Sequence, residues 1–235
     1  MNWLNGLLDL LFPPRCCICR EIQEHAGICP ACLAKLPRTG TEGVQTLGGG
    51  LRCASPLWYE EPVRGALLHF KFQGARWAAG PFGELLAECA AEEFSGEFDM
   101  VTWAPVSRKR RRKRGYDQGE LLAAAACRLW DTKPERLLQK VVHNPAQSGL
   151  SDEAARRANV LGVYDAVQTE KIRGKRILLI DDICTTGATL TECARVLRDA
   201  GAADVVAVTV AKTRKKDTKA AACGGNTQEK GTNCR

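Results

Sequence analysis

Apolar runs at Met100 to Ala104, Ile177 to Ile180 and Val205 to Val210 read as strands. Between and around them the apolar positions recur at helical spacing, which predicts helices over Pro62 to Phe70, Phe82 to Glu93, Gln118 to Trp130 and Ala188 to Ala200. The last of these is ended by Gly201. Apolar strands alternating with helices imply an α/β fold whose mostly parallel sheet is covered on both faces. Thr39 to Gly50 is rich in Gly and Thr and short of core formers, so it reads as a linker or exposed hairpin at a domain boundary. The expected organisation is a small module over residues 1–45, a main domain over 51–212 and a disordered polar tail over 213–235. Leu4, Leu7, Leu8 and Leu11 suit a short docking helix stopped by Pro13 and Pro14.

Length and composition allow one full-sized core plus an appendage. The chain has 235 residues, 45% of them hydrophobic and 26% charged, which is the ordinary globular range. The net charge of +7 is a local matter, because Arg108 to Arg114 is an unbroken basic run of seven residues and the rest of the chain balances. Such a run is aimed at something anionic and is not a general coating. The apolar stretch Trp3 to Phe12 is about half the length that a bilayer-spanning helix needs. It also lacks the basic head and cleavage site of a secretory signal, so no membrane span is expected and the cytoplasm is the expected location.

The chain's twelve cysteines make metal or thiolate chemistry the expectation in that compartment. Cys16 with Cys19, and Cys29 with Cys32, form two C-x-x-C turns separated by nine residues. Two such turns present four thiolates to one tetrahedral Zn²⁺ and leave no open position, so the expected metal is structural. A thiol-disulfide role for the same turns is the competing reading, and one bound zinc per chain would reject it. Cys17 is then a spare thiol, and Cys89, Cys127 and Cys193 fall in helical patterns as small core residues.

Lys175 to Thr191, KRILLIDDICTTGATLT, carries the most specific chemistry. The strand would deliver Asp181 and Asp182 to its carboxyl end, where open α/β sheets bind ligands, and two acids there can accept a ribose diol. The turn Thr185, Thr186, Gly187, Ala188 and Thr189 offers backbone N–H groups and small side chains to a phosphate. Neither a Walker A loop nor a G-x-G-x-x-G fingerprint is present, which disfavours nucleoside triphosphates and NAD. Cys184 lies between Asp182 and Thr185, where a helix N-terminus could lower its pKa, although a buried small residue is the simpler reading.

Ile177 to Thr189 resembles the signature of type I phosphoribosyltransferases, which bind phosphoribosyl pyrophosphate with Mg²⁺. Over residues 1–212 the chain resembles the ComF family of competence-associated phosphoribosyltransferase-like proteins. The resemblance is carried by the four-cysteine module, Phe70-Lys71-Phe72, Arg114-Gly115-Tyr116-Asp117-Gln118, Gln147-Ser148-Gly149-Leu150 and Arg156-Arg157-Ala158-Asn159. It implies that Asp181 and Asp182 hold the ribose hydroxyls, that Thr185 to Thr189 hold the 5-phosphate, and that the loop after Trp103-Ala104-Pro105-Val106 faces the pyrophosphate.

The basic run would sit in that mobile loop, with Arg108, Lys109 and Arg114 as candidate substrate contacts, because preplaced cations stabilise a departing pyrophosphate. The same cations could contact single-stranded DNA phosphates, though no aromatic residues interleave them for base stacking. Asp117 stands where the family usually has an amide. His143 to Asn159 reads as a flap over the site, with Arg156 or Arg157 facing an anion or opening a helix. Lys71 reads equally as a site lysine or a snorkelling surface residue. The resemblance implies phosphoribosyl transfer to an unidentified nitrogen acceptor. Thr185 stands where purine-type relatives place an acid, which weakens a purine acceptor. The alternative is a noncatalytic protein that binds single-stranded DNA or a competence helicase-type partner.

Overall fold

In the long strand Arg176–Cys184 every side chain from Ile177 to Ile180 is fully buried, on both faces, so alternation is absent and the strand lies at the centre of a sheet. The computed structural model describes residues 13–141 and 162–214. The docking helix expected around Leu4 to Leu11, the flap His143 to Asn159 with Arg156 and Arg157, and the tail from residue 215 onward lie outside the described residues.

In chain order the strands are β1 (Val44–Thr46), β2 (Arg52–Ala54), β3 (Leu57–Trp58), β4 (Met100–Trp103), β5 (Leu138–Lys140), β6 (Tyr164–Ala166), β7 (Arg176–Cys184) and β8 (Asp204–Lys212). The α-helices are α1 (Pro30–Leu33), α2 (Val63–Phe72), α3 (Ala79–Glu93), α4 (Arg108–Arg114), α5 (Gln118–Leu129), α6 (Thr169–Ile172) and α7 (Ala188–Asp199). The main sheet runs β1-β2-β8-β7-β4, with β3 also on β8, and every pairing is parallel except β1 with β2. The antiparallel pair β5–β6 stands apart as a second small sheet.

Two apolar layers cover the sheet. On one side α2, α3 and α5 bring Phe70, Phe82, Leu86 and Leu122, all fully buried, against Leu178, Ile180 and Val208. On the other, α7 packs Leu190, Cys193 and Leu197 against Ile177, Leu179 and Ala207. The α/β class with a mostly parallel sheet is as the periodicity predicts. Asp99 receives both the main-chain N–H and the guanidinium of Arg176, which ties the entrance of β4 to that of β7.

Thr39 to Gly50 opens the antiparallel hairpin β1–β2, the second of its two sequence readings, and Leu47 in its turn rests on the α7 entrance. Two segments differ from the sequence reading. The basic run is helix α4 and not a loop: the Ser107 hydroxyl accepts the Arg110 N–H, and Gly115 at φ +80° closes the far end by donating to the Arg111 carbonyl. One like-charge cost within it is offset by the Arg111–Glu120 ion pair at 3.2 Å. Thr213 and Arg214, assigned to the tail, are bound: Thr213 donates its N–H to the Cys184 carbonyl, and Arg214 pairs with Glu60 and stacks 4.2 Å from Trp58.

The described residues 13–38 of the N-terminal module hold the four-residue α1 and single bridges at Arg15–Ile22, Cys16–Gly27 and Arg38–Leu57. Cys16, Cys17, Ile18 and Leu36 join the same buried cluster as Val63, Leu67 and Phe70 of α2. Cys17 is therefore a core residue, and burial pushes its thiol well above the ordinary range. Among the described residues no helix is long and apolar enough to cross a membrane.

Candidate active site and metal centre

The four sulfurs of Cys16, Cys19, Cys29 and Cys32 all lie within 4.8 Å of one another. Thiolates around one Zn²⁺, at about 2.3 Å each, sit about 3.8 Å apart, so this donor set fits the ion with little movement. The main-chain N–H groups of Ile18 and Cys29 donate to the Cys16 sulfur at 3.4 and 3.3 Å. Burial alone would raise the Cys16 thiol, but those N–H groups and that of Cys19 outweigh it and bring it down to about 6. The thiolate is the form that ligates, Cys16 is the member most ready to give it, and the set is closed, which suits a structural ion.

The second site lies where β7 ends. The strand continues through Asp181 and Asp182 to Cys184, then turns through Thr185 and Thr186 into α7, so both carboxyls stand at the carboxyl edge of the sheet. Asp182 is buried and its carboxylate meets the Lys71 ammonium at 2.7 Å. Burial by itself would depress Lys71, but the adjacent Asp182 carboxylate holds its pKa above the usual lysine range. Asp181 accepts the Asp182 main-chain N–H at 2.8 Å, and burial together with the neighbouring Asp182 charge pushes its carboxyl well above the ordinary range. Lys71 is thus paired with Asp182, and Asp181 has no ion pair among the described residues. A ligand that brings hydroxyl donors or a divalent ion to Asp181 would relieve that imbalance.

In the turn, Gly187 sits at φ +74°, where any side chain is strained, and a Cβ there would push on the Leu47 side chain at 2.6 Å. The Thr186 hydroxyl accepts the Ala188 N–H at 3.4 Å. A cavity of about 400 Å³ joins Asp181, Asp182, Thr185 and Thr189 to Lys71 and Arg114. Thr186, Gly187 and Ala188 form the turn beside it. Arg108 and Lys109 are placed elsewhere, in a neighbouring cavity of about 720 Å³. Arg114 is the one member of the basic run that reaches the acids' cavity. Its guanidinium donates to Gln118 Oε1 at 2.9 Å and lies 4.8 Å over the Phe72 ring.

Several groups here have no signal in the sequence reading. Tyr59 and Tyr164 line the same cavity, and burial pushes both phenols up. Neither sits in a motif; they arrive by strand pairing from distant parts of the chain. Gln118 donates to the Lys71 carbonyl at 3.1 Å and so fixes the end of α2. Tyr116 likewise donates its hydroxyl to the Phe70 carbonyl. Asp117 caps α5, accepting the Glu120 N–H at 3.3 Å and the Val106 N–H at 2.9 Å. Its charge is therefore used to hold the turn after β4. Cys184 is buried, and its thiol is lowered by a hydrogen bond with Cys53, by Lys212 and by Gln45.

A parallel sheet with paired acids and a phosphate-type turn at its carboxyl edge, preceded by a four-sulfur knuckle, defines a phosphoribosyltransferase-fold protein with a zinc-ribbon module. Comparison with known proteins agrees on both parts: residues 121–224 match the phosphoribosyl transferase domain, and residues 7–43 match the double zinc ribbon domain. The chain is 27% identical over 215 residues to Competence protein F of Haemophilus influenzae, covering 81% of this chain and 93% of that one. It is 28% identical over 196 residues to Competence protein ComFC of Streptococcus pneumoniae, covering 81% and 84%. DNA utilization protein YhgH of Escherichia coli K12 is 25% identical over 225 residues, covering 83% and 96%. Among solved structures, the glutamine phosphoribosylpyrophosphate amidotransferase of B. subtilis aligns with TM-score 0.38 and 26% identity, over 56% of this chain and 26% of its own. The chain thus spans about a quarter of that enzyme. The two domains in this order, with competence relatives matched over four-fifths of the chain, support the resemblance to the ComF family.

Proposed function

We propose that the protein binds phosphoribosyl pyrophosphate with Mg²⁺ at the end of β7 and transfers the phosphoribosyl group to a nitrogen acceptor, in the cytoplasm. The observation that carries this reading is the Asp181–Asp182 pair, held with Lys71 in one cavity beside the Thr185–Thr189 turn. Asp181 and Asp182 accept the ribose hydroxyls and orient the sugar, and the turn's N–H groups and hydroxyls take the 5-phosphate. Mg²⁺, arriving with the pyrophosphate, supplies charge neutralisation for the leaving group. As the bond from C1 to pyrophosphate breaks, positive charge grows on the sugar and negative charge on the departing oxygens. The acids stabilise the first, and Lys71 and Arg114 the second. Lys71 must give up part of its hold on Asp182 for a diol to enter, so binding and release of that ion pair are linked.

The test is a calorimetric titration of the zinc-loaded protein with phosphoribosyl pyrophosphate and Mg²⁺, beside Asp181→Asn with Asp182→Asn. Saturable binding that weakens at least tenfold in the double variant supports the reading and justifies screening nitrogen acceptors for pyrophosphate release. A folded wild type that does not bind would overturn it. The second reading is a noncatalytic protein that uses the basic run on single-stranded DNA or a competence partner. It is favoured by one observation, that Arg108 and Lys109 line a cavity without the aspartates.

A further inference from the structure

The helix that carries Lys71 to Asp182, α2, is weak by its own sequence. Its ten residues are fewer than the about 12 that a helix needs to persist alone, they include Gly65 and the β-branched Val63, and the Pro62 N-cap offers no side-chain acceptor. The Glu61 carboxylate accepts the Gly65 N–H at 3.2 Å, and packing must supply the rest. Part of that packing comes from the metal-binding module: Cys16, Cys17, Ile18 and Leu36 lie in the same buried cluster as Val63, Ala66, Leu67 and Phe70. A polar contact joins the two as well, the Arg20 guanidinium donating to His69 Nε2 at 2.8 Å.

That contact is made against two local preferences. Arg20 sits at φ +68°, a left-handed conformation that disfavours a side chain, and its N–H is held there by the Cys16 carbonyl at 2.9 Å. A guanidinium can only donate, so Nε2 accepts and the ring hydrogen falls on Nδ1, which is buried without a hydrogen-bond partner among the described residues. Such a pair persists only while the Cys16–Cys19 turn keeps its shape. From the domain, Tyr116 and Gln118 hold the Phe70 and Lys71 carbonyls. The last turn of α2 is therefore gripped by two elements, and the module is the one whose order depends on a metal.

We propose that the four-cysteine module is the positioning element of the ribose pocket: closed on its zinc, it steadies α2 through Arg20 and the Cys17–Ile18 turn and so keeps the Lys71 ammonium on Asp182. Without the ion the last turn of α2 loosens and Lys71 leaves the pocket, where Arg114 remains as the lining cation beside two carboxyls. Attraction for an anionic sugar phosphate falls, while the sheet beneath stays folded. The loss of affinity rests on the reading of that pocket as a phosphoribosyl pyrophosphate site; the positioning of Lys71 does not.

The experiment follows four quantities on the full chain: zinc per chain, amide-exchange protection of β7, affinity for phosphoribosyl pyrophosphate with Mg²⁺, and the rate at which acetic anhydride labels Lys71 relative to the exposed Lys133. It compares the zinc-loaded wild type, the same protein after chelation, Arg20→Gly and Arg20→Lys. Arg20→Gly removes the guanidinium but suits φ +68°, so the turn keeps its zinc; Arg20→Lys restores a donor toward His69. Expected is labelling of Lys71 at least tenfold faster after chelation and at least threefold faster in Arg20→Gly, with affinity lowered by similar factors, β7 protected throughout and Arg20→Lys close to wild type. A module that serves only its own fold would leave zinc-replete Arg20→Gly indistinguishable from wild type, and that result overturns the proposal. Wild-type labelling of Lys71 after chelation overturns it too, as does faster labelling with unchanged affinity. Loss of β7 protection on chelation also overturns it, since the metal would then hold the whole fold. A wild type that binds no phosphoribosyl pyrophosphate would remove the proposed function instead, and the labelling would still decide the positioning.

Discussion

Residues 13–38 bury only Cys16, Cys17, Ile18 and Leu36, whereas the sheet domain buries two full apolar layers built on β7 and β8. The first region cannot meet the entropy of ordering its loops from apolar area and relies on four sulfurs around a metal. The second relies on strand pairing and packed helices. The difference teaches that the information specifying each region is of a different kind. In the module it is spacing: two residues within each knuckle and nine between them. In the domain it is periodicity, spread over many residues, each of which matters a little.

If the contrast is right, removing the metal has the largest effect. Structural zinc in small modules is worth about 10 kcal/mol or more in apparent binding energy. Cys16→Ser, or strong chelation, should therefore unfold residues 13–38 outright, read as loss of one zinc per chain and of amide-exchange protection there. Protection that survives chelation would break the comparison. Next comes Phe82→Ala in the domain core, where Phe82 is fully buried and meets Phe70 edge-on at 6.0 Å. It should cost about 4 kcal/mol in denaturant unfolding. A cost under about 1 kcal/mol would mean that the sheet domain leans on the metal as well.

Gly83→Ala tests the packing of α3 on α5. An added Cβ would lie 2.4 Å from Ala125 Cβ and 2.9 Å from its backbone carbonyl carbon, so about 2 kcal/mol should be lost as the helices part. Tyr116→Phe removes the hydroxyl donor to the Phe70 carbonyl and should cost about 1 kcal/mol, seen as a small fall in Tm.

The smallest effect is at Asp99, whose carboxyl is lowered to about 2, mainly by the Arg176 guanidinium, on the exposed edge of the sheet. A depressed acid stabilises the folded state above its unfolded pKa and loses that contribution as pH falls through the folded value. The difference in urea midpoint between wild type and Asp99→Asn should thus be constant from pH 7 to about 5, then shrink toward pH 2. Taking the difference cancels the loss of metal from both proteins in acid. A difference that persists unchanged at pH 2 would assign Asp99 a role other than its charge.

What was legible in the sequence follows the same division. The knuckles could be read at once, because ligand type and spacing are local. The four long helices could be read to within three residues at each end, the short α1 and α6 not at all, and the core strands as positions if not lengths, because β7 keeps its hydrogen-bond ladder beyond Ile180, where the apolar pattern stops. The acids and the turn after them were visible as a motif. Lys71 was not decidable, since only the packing of α2 decides whether its ammonium meets solvent or Asp182. Tyr59 and Tyr164 carried no local sign at all. The basic run, placed in a loop by the family resemblance, is a helix because Ser107 and Gly115 cap its two ends, a local signal that the run's charge does not carry.

Three consecutive residues of α2 each answer to a different part of the molecule. His69 Nε2 meets the Arg20 guanidinium of the module at 2.8 Å, the Phe70 carbonyl holds Tyr116, and the Lys71 ammonium holds Asp182. For anyone recombining domains, this means that the ribbon is not a portable cassette. A foreign ribbon with the same four cysteines would bind its metal yet leave Leu67 and Phe70 uncovered, unless it also brought the equivalents of Cys17, Ile18 and Arg20.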